Sequence, residues 1–143
     1  MSFSIENYML GDLIYEGRGT TIGRRVLGID MNGGPSMEIS MSGKGPIRGN
    51  IECTDIWTYW TVAGQRGQGR GIIMLDDGSK EVVTAVSQGI GNLSESGSMR
   101  YVGANFYSTS STGKLAFMNN SVGMFEAVID ASSNYTVKVW EWK

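Results

Sequence analysis

Histidine is absent from this 143-residue chain, cysteine occurs once and proline twice. Without histidine, no His-ligated metal site and no Ser-His or Cys-His nucleophile can be assembled. Acid–base chemistry, if there is any, must run on carboxylates, tyrosines or lysines. The lone Cys53 cannot form an intrachain disulfide, and beside Ile51 it reads as a small buried hydrophobe rather than a reactive thiol. An excess of either charge is also missing: 12 Lys and Arg stand against 14 Asp and Glu, a net charge of −2. The basic residues are scattered, which argues against nucleic acid and against an acidic membrane surface as partners. No apolar run reaches the roughly 18 residues that a membrane-spanning helix needs. The opening segment MSFSIENYMLGDLIYEG carries Glu6 and Asp12 and lacks a basic head before a long apolar core, so it does not read as a secretory signal. A soluble, cytoplasmic protein is expected. No acidic cluster has calcium- or magnesium-loop spacing, and neither a metal nor a cofactor is expected.

What is present has the period of strands. Met37-Glu38-Ile39-Ser40-Met41-Ser42 alternates apolar and polar without a fault, as a half-buried strand does. Tyr135, Val137 and Val139 share one face near the end, with Trp140 and Trp142 on the other. Strands are expected near 12–18, 20–28, 36–43, 46–54, 56–63, 69–75, 80–88, 98–108, 114–119, 122–130 and 134–142. Turn signals lie between them, among them Asn32-Gly33-Gly34-Pro35, Asp76-Asp77-Gly78, Ser94-Glu95-Ser96-Gly97 and Ser132-Ser133-Asn134. No helical period separates the strands, so an antiparallel meander, sandwich or barrel is expected rather than βαβ units. With 41% hydrophobic and 18% charged residues, the chain has the composition of one globular domain, 1–143. Residues 1–11 read as an N-terminal extension or short helix.

Glycine is abundant. Its 21 copies, about twice the usual share, include the pairs Gly17/Gly19, Gly43/Gly45, Gly69/Gly71 and Gly89/Gly91. The stretch GQGRGIIMLDDG, residues 67–78, has the look of a phosphate loop, yet Ile72 stands where a dinucleotide fingerprint needs its third glycine. The run IIMLDDGSKEVV, which begins at that position, reads as a hairpin and not as a helix. Glycines at i and i+2 share one face of a strand, where they let a sheet coil sharply or another element come close. Small closed barrels need such corners.

The stretches GRGTTIGRRVL (17–27), MEISMSGKGPIRG (37–49), GQGRGIIMLDDG (67–78) and GKLAFMNNSVGMFEAVIDASSNYTVKVWEWK (113–143) resemble the small β-barrels of the allene oxide cyclase-like group and its prokaryotic members. The resemblance is architectural and covers most of the chain. It implies an all-β, closed antiparallel barrel of about eight glycine-kinked strands, often oligomeric, with a central cavity. It carries over no active residue, and such barrels include enzymes and binding proteins.

The richest segment is TDIWTYWTV (54–62). Trp57 and Tyr59 share a face, and Trp60 lies opposite. They either pack the core and a neighbouring subunit or form an aromatic wall for a flat ligand. Glu126, on a mostly apolar strand, is either a buried acid or base or a charge paired with Arg100. With Tyr107 and Asn119, these residues make the candidate ligand-binding set: Trp57, Tyr59, Arg100, Tyr107, Asn119 and Glu126. Asn119-Asn120 also reads as a turn. If Val137 and Val139 fill the barrel, Trp140 and Trp142 lie outside it, and a homo-oligomer contact would explain them. The sequence thus leaves three functions open: a binder of a small apolar or aromatic molecule, a cofactor-free cyclase- or isomerase-like enzyme, and a structural subunit with a filled barrel.

Overall fold

A computed structural model of the chain describes residues 10–30, 34–63 and 65–142. Eight strands follow one another: β1 (Leu10–Asp30), β2 (Gly34–Ile47), β3 (Ile51–Val62), β4 (Arg66–Leu75), β5 (Val82–Leu93), β6 (Met99–Ser108), β7 (Ser121–Ile129) and β8 (Asn134–Trp142). Each pairs antiparallel with its chain neighbours, and β1 closes the ring against β8. The all-β closed barrel expected from the sequence is what the chain forms. Hairpin connections make this order the simplest way to leave no sheet edge unpaired.

The sequence reading divides the chain too finely at three places. Segments 12–18 and 20–28 are one strand, β1, which absorbs irregularities as register shifts between Thr21 and Gly23 and between Val26 and Gly28. Segment 46–54 is not a strand. It straddles the turn Arg48-Gly49-Asn50, where Arg48 and Gly49 have φ of 50° and 78°. Segment 114–119 is a connection with a 3₁₀ turn at Ala116–Met118, its apolar residues plugging the barrel rather than pairing. Leu10 and Gly11, read as part of an extension or helix, already belong to β1; the rest of that segment lies outside the described residues.

The two ends of the barrel differ. At one end the β6–β7 connection folds inward, and Leu115 and Met118 are fully buried against Ile47, Cys53, Leu75 and Val83. Glu81, from the loop before β5, ties this plug down by accepting hydrogen bonds from Leu115 N at 3.0 Å and from Ser111 Oγ. The Arg48 guanidinium covers the Phe117 ring at 3.5 Å. At the other end Ile39, Tyr101 and Ile129 are only half-buried. Here β1 also overshoots: its pairing with β8 ends at Thr20 and Asn134. Beyond that point it pairs, among the described residues, with β2 alone and exposes Ile22, Val26, Leu27 and Ile29.

The paired glycines line the inside. Gly19 faces Gly43 across β1–β2, and Gly89 lies between Gly67 and Gly103 across β4–β5–β6. Gly71 is paired with Trp57 and Gly69 with Tyr59, and each aromatic ring lies over the glycine opposite it. A side chain at either position would occupy the ring's place. The glycines of GQGRG therefore serve the chain's own aromatic residues, and no helix follows them.

Candidate functional site

Strand alternation puts Cys53, Asp55, Trp57, Tyr59 and Thr61 of β3 inside the barrel. Above the plug, Asp55, Trp57, Tyr59 and Thr61 face β6, β7 and β8 across a cavity of about 70 Å³. At about 10–15 Å³ per water molecule, that is room for about five to seven. Its walls are apolar and aromatic, with Trp57, Tyr59, Tyr101, Phe125 and Tyr135 contributing rings. The Trp57 and Tyr59 rings lie 5.8 Å apart, centre to centre, and are tilted by 32°.

Among the described residues, Asp55 is the one carboxylate lining this space. It is 2% exposed. Tyr15 Oη donates to its Oδ1 at 3.1 Å, and Trp57 Nε1 donates to its Oδ2 at 2.9 Å. Burial raises its pKa above the ordinary carboxylate value, and the two donors partly oppose that rise. A Cβ at Gly43 would collide with Tyr135 Oη and lie 2.9 Å from Asp55 Oδ1, so glycine is required for both side chains to reach this place. Burial and the Asp55 carboxylate together hold the Tyr15 and Tyr135 phenols above their usual range. Burial pushes Tyr59 up to about 12, against the pull of its hydrogen bond to Ser87.

Among the described residues, two buried side-chain polar atoms lack a hydrogen-bond partner: Tyr135 Oη and Asn105 Oδ1. Both residues line the cavity. Asn105 spends its amide donor on Tyr107 Oη at 3.0 Å, which leaves its carbonyl aimed at no group of the protein. Orphaned buried atoms are costly in a folded chain.

The structure divides the sequence candidates. Trp57 and Tyr59 lie in the cavity wall, and Tyr107 is buried beneath it, accepting a hydrogen bond from the wall residue Asn105. Arg100 and Glu126 do not join them. They project from the outer surface of β6 and β7 as an exposed ion pair of 2.8 Å, because strand parity turns Tyr101, Phe125 and Ala127 inward in their stead. Asn119 lies away from the cavity in the β6–β7 connection, where its Oδ1 accepts from Thr109 N at 3.1 Å and Asn120 takes a φ of 57°. That is the turn geometry. Trp140 and Trp142 are outside the barrel, Trp142 being 43% exposed. Cys53 is fully buried, and burial first, then nearby carboxylates, pushes its thiol up to about 12.

Sequence reasoning passed over Asp55, Asn105 and Tyr135. Asp55 sits inside the segment singled out for its aromatics, two residues before Trp57 and on the same face. That parity was the available signal: a carboxylate in step with buried rings is a carboxylate inside.

No protein-family model and no curated protein matches the chain. Solved structures do. A protein of unknown function from Clostridium acetobutylicum ATCC 824 superposes with a TM-score of 0.71 over 92% of this chain and 97% of its own, at 16% identity. A conserved protein of unknown function from Rhodopseudomonas palustris gives 0.70 over 92% and 96%, at 10% identity. At such identities the likeness is one of fold alone.

Proposed function

We propose that the barrel is a receptor for one small, mainly apolar molecule, held in the cavity between β3 and the β6–β8 wall. The observation that carries this reading is a pair of buried polar atoms without a hydrogen-bond partner, Tyr135 Oη and Asn105 Oδ1, on side chains that line a mostly apolar space. Pockets of this kind use a few placed polar groups for orientation and apolar walls for affinity. The resemblance to allene oxide cyclase-like barrels supports a ligand in this position. Native mass spectrometry of the purified protein tests the reading, because a retained small molecule adds its mass to the chain. Retention lost in Phe125→Trp, which fills the cavity, supports it. A bare mass, together with failure of every small probe to perturb the Trp57 and Tyr101 signals in NMR, overturns it.

A second reading, catalysis without a cofactor, is favoured by one observation. Asp55 has a raised pKa and is buried among phenols, which suits a general acid in an isomerisation or cyclisation. Its test is turnover that falls in Asp55→Asn with binding retained.

Self-association completes the proposal. Trp140 and Trp142 supply apolar surface near the plugged end, and Ile22, Val26, Leu27 and Ile29 supply more on the overshooting part of β1. Subunit count in the same native spectra tests it. A monomer at micromolar concentration overturns it.

A further inference from the structure

The cavity is mostly apolar, and its few polar side chains, among them Asp55, Asn105 and Tyr135, have no cation beside them among the described residues. Every described arginine and lysine is on the exposed surface, and the chain has no histidine. Asp55 is therefore buried with two neutral donors and no cation, an arrangement that costs free energy unless a positive charge arrives or the group stays protonated. The two unpartnered atoms, on other side chains of the same cavity, are lone-pair bearers: Asn105 Oδ1 accepts only, and Tyr135 Oη can accept. Five aromatic rings surround the space, and their faces attract cations. A neutral hydrocarbon would satisfy none of the acceptors, and an anion would meet Asp55 unfavourably.

We propose that the ligand is a small organic ammonium ion, whose charged nitrogen faces Asp55 and whose N–H groups turn to Asn105 Oδ1 and Tyr135 Oη. This rests on the reading of the cavity as a binding site and narrows it to a chemical class. The space limits the ligand to a short alkyl or compact amine, of about five to seven heavy atoms by the same measure. The plugged end offers no route past Leu115 and Met118, so entry is by the end lined by Ile39, Tyr101 and Ile129. The groups facing Asp55 are Tyr15, Cys53, Tyr59, Tyr107 and Tyr135, all neutral in the physiological range.

The test compares n-propylammonium, 1-propanol and propionate, which are alike in size and differ in charge. Each is titrated into ¹⁵N-labelled full-length protein at pH 7.5, and chemical-shift changes at Trp57 Nε1 and the Asn105 side-chain amide are read. Propylammonium is expected to bind at least about tenfold tighter than propanol, with propionate showing no saturable shift. Asp55→Asn should bring propylammonium and propanol to parity. Tyr135→Phe, which keeps the ring and removes the acceptor, should weaken propylammonium several-fold; it serves also if the Asp55 variant does not fold. Propanol binding as tightly as propylammonium in the wild type overturns the ammonium proposal and leaves the cavity reading standing. Absence of saturable binding by all three overturns both.

Discussion

Asp55 and Glu126 are carboxylates of the same barrel, each two residues from an apolar neighbour on its own strand face. Only one is inside. Asp55 shares the face of Cys53, Trp57 and Tyr59, is 2% exposed and is bonded to Tyr15 and Trp57. Glu126 shares the face of Met124 and Val128 and meets Arg100 on the surface. A one-residue change of parity moves a strand side chain from core to solvent. How apolar a carboxylate's neighbours are does not decide its side of a barrel. What decides it is which of its two faces carries the glycines and rings that close the interior.

The sharpest way to break the contrast is to remove the floor beneath Asp55. In Gly43→Ala the added methyl would meet Tyr135 Oη, with Arg18 O and Asp55 Oδ1 each 2.9 Å away. Backbone and a buried carboxylate cannot yield cheaply, so a loss of about 3 kcal/mol is expected, at the upper end for overpacking. Gly28→Ala, on the outer strand with no atom within 4 Å of the new methyl, should stay within about 0.5 kcal/mol of wild type. Urea unfolding of the two variants compares them. Equal costs would remove the argument that inward glycines are required by what lies over them.

Next in size is direct removal of the carboxylates. Asp55→Ala leaves Tyr15 Oη and Trp57 Nε1 buried without an acceptor, and each such donor costs about 1–3 kcal/mol. Relief from burying the acid offsets part of this, so a net loss of about 2 kcal/mol is expected from these unpaired donors. Glu126→Ala should cost less than about 1 kcal/mol, as exposed ion pairs do. Thermal melts at one pH suffice to separate them.

The pH dependence sharpens the same comparison with a smaller signal. Because Asp55 has its pKa raised on folding from about 3.8, the native state binds its proton more tightly than the unfolded chain does. Its contribution is fully favourable below the unfolded value and is lost as pH rises through the folded one. Wild-type stability minus that of Asp55→Asn should therefore fall with rising pH from about 4 upward and then level off.

The fold was legible because its determinants are local: alternation in Met37–Ser42, turn residues such as Asp77-Gly78, and paired glycines at i and i+2. Boundaries failed where a local signal had two meanings. Gly43-Lys44-Gly45-Pro46 looks like a break, yet both glycines lie within β2 because Tyr135 and the β1 backbone need their space. The 114–119 segment has a strand's residues, yet it caps a barrel end, a role fixed by distant partners such as Glu81. The site was half legible. Trp57 and Tyr59 could be found from composition. Asn105 and Tyr135 could not, since a polar group becomes unusual only when the surrounding fold leaves it without a partner.

The smallest expected effect concerns the outer pair itself. Arg100 and Glu126 are 2.8 Å apart with side chains 53% and 42% exposed, so water and salt screen their attraction. A double-mutant cycle of Arg100→Ala and Glu126→Gln should give a coupling of about 0.5 kcal/mol, shrinking in 1 M salt. Neither variant should alter ligand binding in the cavity, since neither side chain lines it. A large, salt-independent coupling would mean that this face is buried in an assembly. Parity alone would then no longer separate the two carboxylates, because a subunit contact would have made an interior out of the barrel's outer wall.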